Sequence, residues 1–170
     1  MVHGPHGEDG KLAELCELAG LPNVGSGLGA GALAMDKWAT KLLAASLGLA
    51  TAPGRLVTAG TAAAERYDHP VVVKPVAAGS SLGVSLVTRA DDLTPALEAA
   101  LALDTRALVE DVVHGREVDV AVLRRADGSL EVSPALEIVA DGLFDHAAKY
   151  GGHADFRVPA ALTDIERKGL

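Results

Sequence analysis

The stretch VVVKPVAAGSSLGVSLV, residues 71–87, decides how this chain is read. Two apolar runs, VVVKP (71–75) and GVSLV (83–87), are rich in β-branched residues and bounded by proline and glycine, so both read as strands. VAAGSSL (76–82) joins them. Lys74 stands at the end of the first strand, where its stem can pack while its ammonium reaches a ligand. Gly79 and Gly83 free the backbone of a loop that also carries Ser80 and Ser81. Such a loop can aim several N–H groups and two hydroxyls at phosphate oxygens. It is not a Walker loop, because no Gly-Lys-Ser/Thr follows and no helix opens behind it. The same residues also read as a glycine-rich hairpin with a surface lysine, and spacing alone leaves both readings open.

Working outward, RLVT (55–58) is a short strand and GTAAAERYDH (60–69) a loop or short helix. DDLTPALEAALAL (91–103) reads as a helix with Leu93, Leu97 and Leu101 four apart. RALVED (106–111) is a strand. REVDVAVLRR (116–125) alternates, with Val118, Val120 and Val122 on one face, and Asp127-Gly128 supplies a hairpin turn before LEVSPALEIVA (130–140), a strand broken near Pro134. Toward the N-terminus, Leu12, Leu15 and Leu18 fall at helical spacing and Gly20 and Pro22 end that helix. NVGSGLGAG (23–31) reads as a flexible connection. Asp36 caps a further helix bearing Trp38, Leu42 and Leu47. From Asp141 to Asp155 no periodicity survives, and a loop that long in a compact domain is usually functional. Thr163 and Glu166 form a capping box for a last helix.

The 170 residues suit one ordinary core or two small lobes, and 49% hydrophobic with 22% charged residues is a globular composition. With aromatics at 3%, the core has to be Ala, Leu and Val. A net charge of −8 argues against a nucleic-acid or anionic-membrane binder, while leaving room for a local basic pocket. One cysteine excludes an intrachain disulfide framework and fits a reducing compartment. The polar, glycine-rich start does not read as a signal peptide, and no apolar run is long enough to span a bilayer.

Four further places can carry chemistry, each with a plainer reading beside it. Glu110 ends one strand and Glu117 opens the next. Acids there can accept from an adenine amino group or a ribose hydroxyl, or simply be solvated strand ends. Lys37 sits in the first turn of a helix, where the macrodipole disfavours a cation, so it is either compensated by an anion such as phosphate or merely exposed. Lys149 and Tyr150 fall in the aperiodic loop, which is a lid or an ordinary surface loop. HGPHGEDG (3–10) holds His3, His6 and Glu8. Its H-x-x-H spacing is not the helical pair of a zinc protease, and Pro5 with its flanking glycines makes it a loop, which disfavours a zinc site.

Taken in order, HGPHGEDG, LAGLPNVGSG, ALAMDKWATK, VVVKPVAAGSSLGVS, VEDVVHGREVDVAVL, EIV with AKY, and FRVPAAL resemble the D-alanine–D-alanine ligases of the ATP-grasp superfamily. The resemblance runs through nearly the whole chain. It implies an α/β (α+β) ATP-grasp fold: residues 1–33 as the end of the N-terminal substrate domain, 34–111 as the central, small antiparallel-sheet lobe, and 112–170 as the start of the large lobe. It implies Lys37 and Lys74 on ATP phosphates, Ser80 and Ser81 in the serine loop over them, and Glu110, Asp111, Val112 and Val113 as the adenine hinge. Glu117 would hold the ribose and Lys149 would contact phosphate. Tyr150 would pair with Ser80 on the substrate side, and His3 would face the first D-alanine, supported by Glu8. The implied reaction forms an acyl phosphate from one D-alanine and ATP, then a dipeptide with a second, for peptidoglycan precursors. ATP and Mg²⁺ are the implied cofactors, the cytoplasm of a bacterium the implied location, and a homodimer the implied full-length assembly.

The family also carries an N-terminal lobe ahead of the histidine motif, and an Arg-x-Asp and an Asn-Glu-x-Asn segment that supply Mg²⁺ ligands. Neither motif follows Phe156. The expected metal ligands therefore lie beyond Leu170, and the chain reads as the middle of a ligase, inactive alone. The competing readings are a non-catalytic nucleotide-binding remnant and another ATP-grasp carboxylate–amine ligase.

Overall fold

The structure is a computed structural model that describes residues 4, 6–139 and 155–169. The chain divides into two compact units, residues 1–113 and 114–170.

The first unit opens with three helices, α1 (Lys11–Leu18), α2 (Leu28–Met35) and α3 (Lys37–Ser46). Its sheet has four strands, β1 (Gly54–Thr58), β2 (Val71–Pro75), β3 (Ser85–Val87) and β4 (Arg106–Asp111), with helix α4 (Ala90–Leu101) between the last two. The spatial order is β1-β4-β2-β3, and every neighbouring pair is antiparallel.

Side chains alternate across a strand, so the sheet has two chemically distinct faces. On one, Val57, Val71, Val73, Val87, Ala107 and Val109 meet Leu93, Ala96, Leu97 and Ala100 of α4 in the main core. The α4 residues recur at the three- and four-residue spacing of a helix stripe. The opposite face carries Leu56, Leu108, Lys74 and Glu110, as the register Leu56↔Leu108 and Lys74↔Leu108 requires. The same alternation that builds the core therefore puts a lysine and a glutamate together on the far side.

In the second unit, β5 (Glu117–Asp119), β8 (Leu136–Val139) and β9 (Asp155–Arg157) form an antiparallel sheet in the order β5-β8-β9, and β6 (Val122–Arg124) pairs with β7 (Leu130–Val132). The last helix, α5 (Asp164–Lys168), has the capping box: the Glu166 N–H donates to Thr163 Oγ1 at 3.3 Å, and the Thr163 N–H donates back to Glu166 Oε2 at 2.7 Å.

Two expectations need correction. Part of NVGSGLGAG is helical, because α2 begins at Leu28 and includes Gly29 and Gly31. A Cβ on Gly31 would lie 2.7 Å from the Gly10 nitrogen, so the glycine serves close helix packing rather than flexibility. The run 116–125 is two strands in different sheets: β5 stops at Asp119, and β6 starts at Val122 to pair with β7. Alternation persists across such a break, so a pattern of period two cannot report it. The turn at Asp127-Gly128 and the break near Pro134 fall as expected, with Gly128 at φ +86° and β7 and β8 on either side of Ser133–Ala135.

Candidate functional site

The far face of the first unit's sheet carries Lys74 and Glu110, with Lys37 and the loop bearing Ser80 and Ser81 in the same unit. Glu110, only 7% exposed, accepts from two lysines, Lys41 of α3 through Oε1 at 2.6 Å and Lys74 of β2 through Oε2. It is therefore not a solvated strand end. Gly54 makes its position possible: a Cβ there would lie 2.9 Å from Glu110 Cγ.

Asp36 sets the N-terminus of α3. Its Oδ1 accepts the Ala39 N–H at 2.9 Å, and its Oδ2 takes the Arg106 guanidinium at 2.7 Å, which ties the helix to the start of β4. Burial pushes this carboxyl up, but the Ala39 N–H and Arg106 together hold it below the ordinary value. Lys37 follows directly. Its Nζ donates to the Val76 carbonyl at 3.2 Å and the Ala78 carbonyl at 2.7 Å, and among the described residues no carboxylate forms an ion pair with it. Burial and the charge of Lys74 both push the Lys37 ammonium below its ordinary value.

The loop after β2 is anchored at its base. The Ala77 N–H donates to Asp104 Oδ2 at 2.6 Å, and the Val76 N–H to the Arg106 carbonyl at 3.1 Å. Ser80 and Ser81 sit at φ +53° and +54°, a left-handed conformation uncommon outside glycine and concentrated at functional sites. Gly79 lies against the opening loop: a Cβ would meet Gly4 Cα at 2.9 Å and Glu8 Oε2 at 3.2 Å. Glu8 Oε2 also accepts the Gly4 N–H at 2.6 Å, so Glu8 braces that loop beside the serine loop.

The cations Lys37, Lys41, Lys74 and Arg106 face the carboxylates Asp36, Asp104 and Glu110, leaving a locally positive cluster in a chain of net charge −8. With backbone N–H groups and two serines alongside, the arrangement suits a polyanion such as a nucleotide triphosphate. Asp111 closes β4, with its N–H on the Pro53 carbonyl at 2.9 Å and its carboxylate 2.9 Å from His69 Nε2. Val112 and Val113 follow, with Val113 exposed. Among the described residues no cluster of His, Cys, Asp and Glu is placed to hold a metal ion.

Glu117 opens β5 in the second unit. Its neighbour Arg116 fastens that unit together, donating to Glu137 Oε1 at 2.7 Å, Glu166 Oε1 at 3.0 Å and the Ala161 carbonyl at 2.9 Å. His3, Lys149 and Tyr150 lie outside the described residues.

The sequence reading gave no role to Lys41, Gly54, Asp104 or Arg106. Lys41 was in principle findable, because it lies one helical turn after Lys37. Asp104 and Arg106 act through loop and strand-end geometry that leaves no periodic trace.

Comparison with known proteins places this arrangement. D-alanyl-alanine synthetase A from Vibrio cholerae superposes with a TM-score of 0.81 at 31% identity over 98% of this chain and 54% of that one. The VanG D-Ala:D-Ser ligase from Enterococcus faecalis does so with 0.81 at 34% over 98% and 50%. The fold is thus the mixed helix and antiparallel-sheet architecture of the ATP-grasp proteins. A family profile described as D-ala D-ala ligase C-terminus matches residues 48–170, and the chain belongs to the D-alanine–D-alanine ligase family. The D-alanine–D-alanine ligases of Corynebacterium aurimucosum and Geobacter sulfurreducens are each 43% identical to it, over 96% and 99% of this chain. The chain spans about half the length of these curated relatives, 49% and 54%.

Proposed function

We propose that the chain forms the nucleotide-handling part of an ATP-dependent ligase that joins two D-alanines into D-alanyl-D-alanine for peptidoglycan precursors. The observation that carries this reading is Lys37, a half-buried ammonium on two carbonyls, held beside Lys74 and the left-handed serine loop in a chain of this family.

The carboxylate of the first D-alanine attacks the γ-phosphorus and ADP leaves. The amine of the second then attacks the acyl-phosphate carbonyl and inorganic phosphate leaves. ATP supplies the phosphoryl group that activates the carboxylate; Mg²⁺, for which the described residues offer no ligand cluster, would when bound offset part of the phosphate charge. Lys37 and Lys74 offset the remaining phosphate charge. Ser80 and Ser81 cover the phosphates with hydroxyl and N–H donors. Glu110, Asp111, Val112 and Val113 read adenine, and Glu117 takes the ribose. Lys149 and Tyr150 act from the aperiodic stretch between β8 and β9, Lys149 on phosphate and Tyr150 with Ser80. In this reading that stretch excludes water from a hydrolysable intermediate. His3 faces the first D-alanine, and Glu8 braces its loop. In this reading, residues 1–33 are the end of the N-terminal substrate domain, 34–111 form the central lobe and 112–170 begin the large lobe, in a bacterial cytoplasmic homodimer.

The test is phosphate release from ATP by the polypeptide carrying these residues, with D-alanine, D-serine, D-lactate and L-amino acids added singly and each also paired with D-alanine. Stimulation by D-alanine alone, with the dipeptide seen by mass spectrometry, is expected. No stimulation by D-alanine would contradict the substrate assignment. A stronger response to D-alanine plus D-serine would move it toward the chemistry named for the Enterococcus faecalis neighbour.

A further inference from the structure

Lys41 is one of the least exposed lysines of the first unit, with 12% of its side chain exposed, and it does two things. It pairs with Glu110 Oε1 at 2.6 Å and donates to the Ala52 carbonyl just ahead of β1. The second bond fixes the ammonium between helix and strand, so it is not a roaming surface charge. Glu110 thus has one lysine on each carboxylate oxygen, but the two lysines differ. Lys74, with 24% of its side chain exposed, stands next to Lys37 and the base of the serine loop, whereas Lys41 is tied back to the Ala52 backbone.

That asymmetry matters when a polyanion arrives. Resting on the phosphate-site reading above, Lys74 has to turn toward phosphate and loosen its hold on Glu110. Were Lys41 missing, that step would leave the buried Glu110 carboxylate without its remaining cation, and the cost would hold Lys74 back. We infer that Lys41 is a positioning residue: it keeps Glu110 paired so that Lys74 can be handed from Glu110 to nucleotide phosphate. Lys41 itself stays on Glu110 and touches no nucleotide. The absence of a Cβ at Gly54 gives Glu110 the room to hold both lysines at once.

The test is calorimetry of MgADP and of adenosine binding to the full chain, in wild type, Lys41→Met, Glu110→Gln and the double variant. Lys41→Met is expected to weaken MgADP by about tenfold or more while adenosine changes by less than about twofold. In the Glu110→Gln background there is no buried charge to keep paired, so adding Lys41→Met is expected to change MgADP affinity by less than about twofold. An unchanged MgADP affinity in Lys41→Met, an equal loss for adenosine and MgADP, or the same loss in the Glu110→Gln background would each overturn the handover. A wild-type chain that binds neither probe would instead overturn the nucleotide reading on which it rests. Side-chain NMR of selectively labelled lysines in the wild type covers the case where Lys41→Met does not fold. On MgADP addition the Lys74 signal should move and the Lys41 signal stay, and a Lys41 signal that shifts as far as that of Lys74 contradicts the proposal.

Discussion

At Lys37 a cation occupies the first turn of α3, where the helix dipole opposes it. The Val76 and Ala78 carbonyls replace part of its hydration, and their partial charges compensate the dipole without neutralising the ammonium. Burial first, and the neighbouring Lys74 second, lower its proton affinity. The sign of the consequence follows. The charged form binds phosphate, and its ionisation sits below the ordinary lysine value of 10.5. Nucleotide affinity should therefore fall on the alkaline side at a lower pH than an ordinary lysine would give. Lys37→Arg, which stays charged throughout, should move that fall upward. Calorimetric titration of MgADP across the alkaline range checks both, and coincident profiles for the two proteins would remove Lys37 from the phosphate site.

At the scale of elements, two glycines control how the N-terminal helices meet the opening loop. Gly10 sits at φ +86°, and a Cβ there would be 2.5 Å from the Leu28 carbonyl oxygen. A clash with backbone cannot be relieved by a rotamer change. Gly10→Ala should therefore destabilise the chain by about 1–3 kcal/mol, on the scale of overpacked interiors. Thermal unfolding followed by circular dichroism measures this, and an unchanged midpoint would show that the α1–α2 approach is looser than described.

These glycines also mark what a sequence can and cannot disclose. The strands around Lys74, the α4 stripe, the Asp36 cap and the Thr163–Glu166 box were legible because each is a local pattern with its own physical signature. The helical start of α2 was not, because Gly29 and Gly31 lower local helix propensity and the close approach to Gly10 that favours a glycine at 31 is tertiary. Lys74 and Glu110 were each singled out, yet their pairing depends on the β2–β4 register, and the part of Lys41 depends on how α3 lies over that face.

At the scale of the molecule, charge is distributed against the average. A chain with pI near 5.1 and net charge −8 concentrates Lys37, Lys41, Lys74 and Arg106 around one face of one small sheet. The −8 total lowers affinity for polyanions in general, whereas the local cluster, with donors fixed by Asp36, Asp104 and Glu110, selects one that fits. All the residues of this cluster belong to the first unit, residues 1–113. The same unit leaves Leu15, Leu18, Leu42 and Leu47 of its helical segment exposed, while its sheet core is closed. The most direct measurement is therefore calorimetry of MgATP binding to the chain with and without Lys74→Ala, both folded by circular dichroism. Saturable binding that is lost in Lys74→Ala is what this account requires, and binding unchanged by the substitution would contradict it.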